Sequence, residues 1–485
     1  MGKEENRSFG KNMLSIGAGT IVYMIVGFIG TPIITRLVDP VDYGQMSMLS
    51  VYSSFLMMFC GLGLDQTLVR YFYHSDEVLY KKKLLSTCCL FSLIAFCFAS
   101  LFLVVASGLG KRYDFIQVKA YELFLLLLNA FALLLNRYVL LTIRLTYKTR
   151  VYSIINVVQK ALYILITIIL VLTLKEHHFV CLAIATICST LIATFIGICA
   201  NYQLWIGKGG ECDLPYTRRS LIVYGLPLMM ASSISVMFNA LDKLALNHFC
   251  SVADVGVYAS AMNIMAIFAV VKTSFTALWM PSAIDNYERD PNDRSFYRRG
   301  NGLISCIMII FGAGVVLLKD LVVFLLGEKY ANAAGIIPFL MFEPIMYTIS
   351  DSTATGIAIS KKTGYQLAVA SGACMANFIG NLLLTPRLGS QGAAISTAIA
   401  YILFFAMRTG FSNKLFYIDY RLKQFSVLVI ALFGFACFSS FTTFSFVYIC
   451  LFGSITIMTL IVYREYITDI TGLISRVIAK LLKKP

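Results

Sequence analysis

Runs of about 20 mostly apolar residues recur along nearly the whole chain, and each is long enough to cross a bilayer as a helix. Reading for such runs predicts fourteen spans, near 12–35, 45–65, 84–106, 119–142, 151–173, 179–201, 219–247, 256–283, 301–326, 334–359, 363–385, 391–412, 424–441 and 445–463. An even number places both chain ends on one side. The longest connectors, around 201–220 and 285–300, hold about 20 residues or fewer, too few to fold alone. Activity is therefore expected within the helical bundle or at its rims. The expected fold class is an all-α polytopic membrane protein.

Composition agrees with that pattern: 59% of residues are hydrophobic, 13% are charged and the mean hydropathy is +0.79. A soluble globule of 485 residues is never so apolar. The net charge of +15 does not mark a nucleic-acid binder, because the basic residues are scattered over short connectors with no single patch. They report topology instead. Of 40 Lys and Arg, 29 fall in or beside the terminal-side segments, 8 on the opposite side and three inside spans. By the positive-inside rule both termini are cytoplasmic. Clusters such as Lys81-Lys82-Lys83, Arg218-Arg219 and Arg298-Arg299 then serve as anchors on that face.

Thirteen cysteines suggest disulfides only until they are located. Most lie in or beside apolar runs, where free Cys is a small hydrophobe, and no paired CxxC spacing points to a metal. The first eleven residues are polar and lack the apolar core of a signal peptide.

Asp42-Tyr43-Gly44 follows span 1, and Asp254-Val255-Gly256 follows span 7 in the same relation to it. This echo, six spans apart, predicts two parallel six-span repeats with a further pair appended. The division expected is 1–215 for spans 1–6, 216–415 for spans 7–12, and 416–485 for spans 13–14 with a tail. Repeat halves of this kind leave a cavity between them and rock about it.

The stretch from Thr31-Pro32 through Arg36 to Asp42-Tyr43-Gly44, then Gly61-Leu62-Gly63-Leu64-Asp65 through Arg70-Tyr71, resembles the opening of bacterial polysaccharide flippases of the Wzx type. Tyr224-Gly225-Leu226-Pro227, Asp242-Lys243-Leu244 and Val255-Gly256-Val257-Tyr258 resemble that family's seventh and eighth spans. These flippases share a superfamily with multidrug and toxin extruders and lipid II flippases. The resemblance implies a two-lobed carrier moving an undecaprenyl-diphosphate-linked oligosaccharide from the inner to the outer leaflet by alternating access through a cationic central cavity. It further implies a bacterial inner membrane, contact with membrane lipids and polysaccharide assembly proteins, and a monomer without cofactor. Where the family commonly has Arg after the Asp of the seventh span, this chain has Lys243. The charge is kept, but the planar fork that grips phosphate at two points is not.

Charges inside apolar spans are the candidate chemistry. A charge at the bilayer centre costs about 2.5–3.5 kcal/mol on insertion scales, so it normally faces protein or a wet path. Lys160, Lys243 and Lys272 would meet a diphosphate. Asn156 and Gln159 lie near Lys160, Asn156 one turn before it, and suit sugars or phosphates. Arg70, beside Asp65 at the inner end of span 2, and Arg36 at the outer exit are either substrate contacts or topology anchors. Lys272 has snorkelling to the cytoplasmic interface as its second reading, and Lys243 an ion pair with Asp242 or snorkelling to the outer interface. Glu343 and Asp351 share span 10 with Pro338 and Pro344, which are expected to bend it. Either carboxylate, or Asp242, would carry a coupling H⁺ or Na⁺, or else neutralise a lysine. Pro32 and Pro227 mark bends or hinges in the first span of each half. The tail Ile467–Lys484 reads as a basic amphipathic helix on the inner leaflet.

A membrane enzyme is disfavoured, because His74, His177, His178 and His248 all fall in connectors or at a span's edge. A cation-coupled drug extruder would favour an acidic cavity rather than lysines. Precursors of the teichoic-acid or lipid II type remain alternative cargo. A receptor that only binds would not need charges spread over repeated spans.

Overall fold

The computed structural model describes residues 3–112, 119–206, 214–362 and 364–466, with side chains described from Gly19 onward in the first helix and to Leu109 in the fourth. The tail Ile467–Lys484 lies outside the described residues. Among those described, every regular element is helical. With no water to satisfy N–H and C=O groups in hydrocarbon, a chain this apolar has few alternatives. It forms two compact units, Met1–Leu244 and Ala245–Pro485.

The first unit begins with α1 (Lys3–Leu37) and α2 (Pro40–Gly61). A residue in the left-handed region at Leu62, followed by Gly63 at φ 69°, separates α2 from α3 (Leu64–Tyr71). The continuous span expected over 45–65 is thus a pair of helices bent by 52°. Then follow α4 (Val78–Arg112), α5 (Ala120–Leu145), α6 (Thr149–Leu174), α7 (His178–Ala200), the single turn α8 (Tyr202–Trp205) and α9 (Arg218–Phe249), whose last residues belong to the second unit.

Three glycines of α1 let it lie against α6. A Cβ on Gly19 would meet Ser153, one on Gly27 would meet Lys160 and one on Gly30 would meet Ile164. The partners rise together along the two helices, so α1 and α6 run parallel. Small residues at a helix interface allow close backbone approach, the usual basis of association in membranes.

The second unit comprises α10 (Val252–Met265), a 3₁₀ turn at Ala266–Phe268, α11 (Ala269–Arg289), α12 (Ser295–Leu317) and α13 (Lys319–Leu326). A 3₁₀ stretch, Glu328–Gly335, then leads into α14 (Ile337–Leu340), α15 (Phe342–Thr353) and α16 (Thr355–Ile359) at a bend of 54°. The bend falls at Ile336, two residues before Pro338, in the span where prolines predict one. Pro338 and Pro344 sit in the first turns of α14 and α15, where a missing N–H leaves nothing unbonded. The echoed residues fall at equal places: Asp42 and Asp254 are each third in their helices, and Asp254 closes a capping box with Ser251. A carboxylate there complements the helix dipole.

The long element α17 (Gly364–Leu415) turns at Gly389, where φ is 59° and ψ −137°. A Cβ on Gly380 would collide with Ser396 and one on Gly392 with the Leu384 carbonyl, so the two limbs fold back antiparallel. Buried Asn377, Asn381 and Ser396 hydrogen-bond between and within the limbs. Finally come α18 (Leu422–Phe441) and α19 (Phe446–Val462). Among the described residues ten helices are long and apolar enough to cross a membrane, or up to twelve with each bent pair as one span. Reaching the expected fourteen needs both limbs of α17 and the 17-residue α19 counted separately.

The interior is mainly apolar, but large apolar side chains also cover the outside and several polar ones are enclosed. Phe98, Phe102, Phe195, Phe324 and Ile430 are exposed, whereas Asn129, Thr142, Ser153, Asp351, Thr385 and Arg408 are buried. Cys60, Cys88, Cys181 and Cys306 are buried and unbridged, filling the interior as small apolar groups.

Candidate functional site

Charged side chains stand among the helices of both units. In the first, Lys160 occupies the middle of α6, half-buried, with its stem against Gly27. Its ammonium lies 5.9 Å from the centre of the Tyr23 ring and 5.4 Å from that of Tyr163. At such distances a ring face attracts a cation by about 0.5–2 kcal/mol, depending on desolvation. Among the described residues no carboxylate pairs with it. Its sequence neighbours point elsewhere: Gln159 donates to Thr190 Oγ1 of α7 at 3.0 Å, and Asn156 to the Tyr152 carbonyl of its own helix at 2.8 Å.

At one end of the same unit, Asp65 at the start of α3 accepts from Arg137 of α5 at 2.6 and 3.1 Å. They line a cavity of about 90 Å³ with Met57, Tyr138, Met229 and Ser232. Gly63 and Gly225 touch there through their backbones, and Thr67 Oγ1 donates to the Leu221 carbonyl at 3.1 Å. The segment from Asp65 to Tyr71 thereby holds the first part of α9. Arg70 and Arg36 are both exposed, away from Lys160. Near the end of the unit Lys243 is half-buried next to buried Asp242.

The arrangement in the second unit builds on helix spacing. Glu343, Tyr347 and Asp351 recur every four residues on α15, as do Lys272 and Thr276 on α11, and Phe404 and Arg408 on α17. Each set lies along one helix face. The Lys272 ammonium sits 3.5 Å from the centre of the Tyr347 ring. Asp351 accepts from Arg408 Nη1 and from Thr276 Oγ1, each at 2.5 Å, and Arg408 Nη1 also donates to Ser350 Oγ at 2.9 Å. The pair is deeply buried, Asp351 at 2% and Arg408 at 9% exposure. Glu343 and Asp351 both act electrostatically on Lys272. Two cations and two carboxylates thus offset each other, in contrast to the unneutralised Lys160.

The sequence profile of the family described as polysaccharide biosynthesis protein matches residues 9–286, more than half of the chain. The chain belongs to the polysaccharide biosynthesis protein family. An uncharacterized membrane protein of Methanocaldococcus jannaschii is 25% identical over 225 residues, covering 44% of this chain and 43% of that protein, less than half of the relative's length. Among solved structures, the lipid II flippase MurJ in an inward closed conformation superposes with a TM-score of 0.67 at 14% identity, covering 93% of this chain and 99% of its own. An inward-facing multidrug resistance MATE family transporter of the MOP superfamily gives 0.58 at 16%, covering 86% and 98%. A MOP superfamily transporter from Pyrococcus furiosus, described as having a binding pocket of reversed polarity, gives 0.53 at 15%, covering 86% and 96%. These likenesses show that the chain has the fold of these structures.

Within this member of the polysaccharide biosynthesis family, the charged groups that sequence reasoning passed over are Arg137, Arg408 and Lys319. Each lies a few residues inside a span's end, where it counts as an anchor. The signal for Arg408 was a carboxylate needing a partner: Asp351 deep in an apolar span demands a cation, and Arg408 supplies it. Arg137 similarly answers Asp65.

Proposed function

We propose that the protein is a flippase that carries an undecaprenyl-diphosphate-linked oligosaccharide from the cytoplasmic to the outer leaflet of a bacterial inner membrane, with both termini cytoplasmic. The observation that carries this reading is Lys160: an ammonium in mid-span, framed by two aromatic rings and offset by no described carboxylate, in a protein of the polysaccharide biosynthesis family. Such a group attracts a diphosphate and repels the organic cations that a drug extruder takes. The tyrosines add flat faces and hydroxyls that suit sugars. Lys272 and Lys243 act as secondary contacts, with Asn156 and Gln159 orienting α6, and Arg36 and Arg70 guiding headgroups at the rims. No chemical bond is made or broken, so no catalytic residue or cofactor is assigned. The working unit is a monomer that hands its cargo to polysaccharide assembly proteins. Teichoic-type and lipid II-type precursors share the diphosphate and differ in sugars.

Deleting the gene is expected to accumulate lipid-linked oligosaccharide on the cytoplasmic side, identified by mass spectrometry. Lys160→Ala is expected to reproduce that accumulation at normal membrane levels, while Lys160→Arg, keeping the charge, restores part of the export. Export by Lys160→Ala equal to wild type would remove the lysine from the path.

Return of the empty carrier needs an energy source, for which we assign a coupling H⁺ or Na⁺ to Glu343, with Asp351 and Asp242 holding neighbouring cations. Glu343→Gln is expected to abolish the dependence of transport in vesicles on an imposed ion gradient. Persistence of that dependence would clear Glu343 of the role.

A further inference from the structure

A second polar concavity lies in the second unit, at the end where α13 begins, α17 turns and α18 meets α19. Its volume is about 620 Å³, within the roughly 300–1,000 Å³ of small-molecule sites. The basic residues of the sequence assign this end to the outer face.

The floor is Lys319, only 2% exposed. Its ammonium donates to the Thr442 carbonyl at 3.1 Å and lies 3.7 Å from Asp320 and 5.7 Å from the centre of the Tyr448 ring. Tyr448 in turn donates to the Thr442 carbonyl at 2.8 Å. One wall is Gln391, whose amide donates to the Ser440 carbonyl at 3.2 Å. Ser440, a residue 8% exposed, is part of the lining, and its enclosed hydroxyl has no hydrogen-bond partner among the described residues. Buried polar groups without partners are rare in finished structures and call for an explanation. Asp254, held by Ser251, and exposed Asn332 add to the polar lining with Ser390 and Thr443, and Phe441 stands at the edge with 59% of its surface open.

We infer that this concavity is a saccharide-binding site. The carboxylates accept and the exposed Asn332 amide both donates and accepts, which suits sugar hydroxyls that each give and take a hydrogen bond, while enclosed Lys319 fixes the Thr442 carbonyl. The open Phe441 ring offers an apolar face for the C–H side of a pyranose. Two carboxylates against one ammonium disfavour a diphosphate, and a floor made by that ammonium disfavours a metal cation. That the site receives the cargo's sugars on the outer face rests on the flippase reading; that it binds saccharide does not.

The test uses the full chain in nanodiscs, probed with di- to tetrasaccharides released by partial acid hydrolysis of the host cell's own surface polysaccharides. Saturation-transfer NMR is expected to show transfer into sugar C–H protons. The signal should fall about fivefold or more in Asn332→Ala and in Phe441→Ala, both surface changes that leave the fold intact. Pyrophosphate should not compete. Absence of transfer to wild type, equal transfer in both variants or displacement by pyrophosphate overturns the proposal. Fragment binding in a protein whose deletion accumulates no lipid-linked oligosaccharide would keep the site and defeat the flippase reading; accumulation without fragment binding would do the reverse.

Discussion

Lys160 depends on a glycine for its position. A Cβ on Gly27 would stand 3.2 Å from Lys160 Cε and 3.9 Å from Nζ. A methyl group displaces a flexible stem by little; a leucine fills the space between α1 and α6 that the stem occupies. Gly27→Leu is therefore expected to push the ammonium off the Tyr23 and Tyr163 rings and lower export about tenfold, as loss of roughly 1.4 kcal/mol of binding would. Surface polymer output, measured against membrane-inserted protein, checks this. Unchanged output would show that the substrate never meets Lys160. At this scale the sequence was legible in part. A lysine ten residues from either end of an apolar run announces itself, and Lys160 did. What helix periodicity cannot give is the partner across a helix interface: Gln159 shares a helical turn with Lys160, yet it bonds to Thr190 of α7, because its direction is set by a neighbour far away in sequence.

At the scale of elements, the three-helix tie among α11, α15 and α17 rests on Asp351 and Arg408. Removing one member of such a buried pair leaves the other charge unsatisfied, which costs about 3–5 kcal/mol, whereas replacing both by uncharged groups is often near neutral. Asp351→Asn and Arg408→Met are each expected to lower the thermal midpoint in detergent sharply, and the double variant is expected to recover most of the loss. Additive losses would mean that the two side chains act independently. Breaks in helices were legible to different degrees. The turn of α17 follows from Arg387-Leu388-Gly389-Ser390 between two apolar runs, since a glycine at positive φ stops a helix without strain. The break between α2 and α3 was not visible, because Leu62 adopts a left-handed conformation that its side chain disfavours. The reason lies elsewhere in the chain: Gly63 must present its backbone to Gly225, whose carbonyl would stand 2.0 Å from any Cβ at Gly63. The bend expected in span 10 is present, 54° at Ile336, two residues before Pro338.

For the whole molecule, the question is which connectors face which side, and the helix order constrains the answer tightly. The parallel packing of α1 and α6 requires an even number of turns between their directions, as the first and fifth of alternating crossings have. The limbs of α17 need a reversal at Gly389. At about 1.5 Å per residue a straight helix of that length would exceed twice a bilayer core of about 30 Å. Basic residues supply the expected sign: with both termini cytoplasmic, as proposed, the connectors between α3 and α4 and between α11 and α12 would face the cytoplasm, and those at Glu176, Arg387 and Thr443 the outer side. All five positions used for the test are exposed: Glu77, Glu176, Asn292, Arg387 and Thr443. Single cysteines placed there in a background with native cysteines replaced are expected to separate cleanly under a membrane-impermeant maleimide in intact cells. Glu176→Cys, Arg387→Cys and Thr443→Cys should label, while Glu77→Cys and Asn292→Cys should label only after the membrane is opened. The reverse pattern would invert the protein and place the saccharide concavity in the cytoplasm. Protection of Arg387→Cys alone would mean that the limbs of α17 do not both cross, and the count of spans beyond it would change parity.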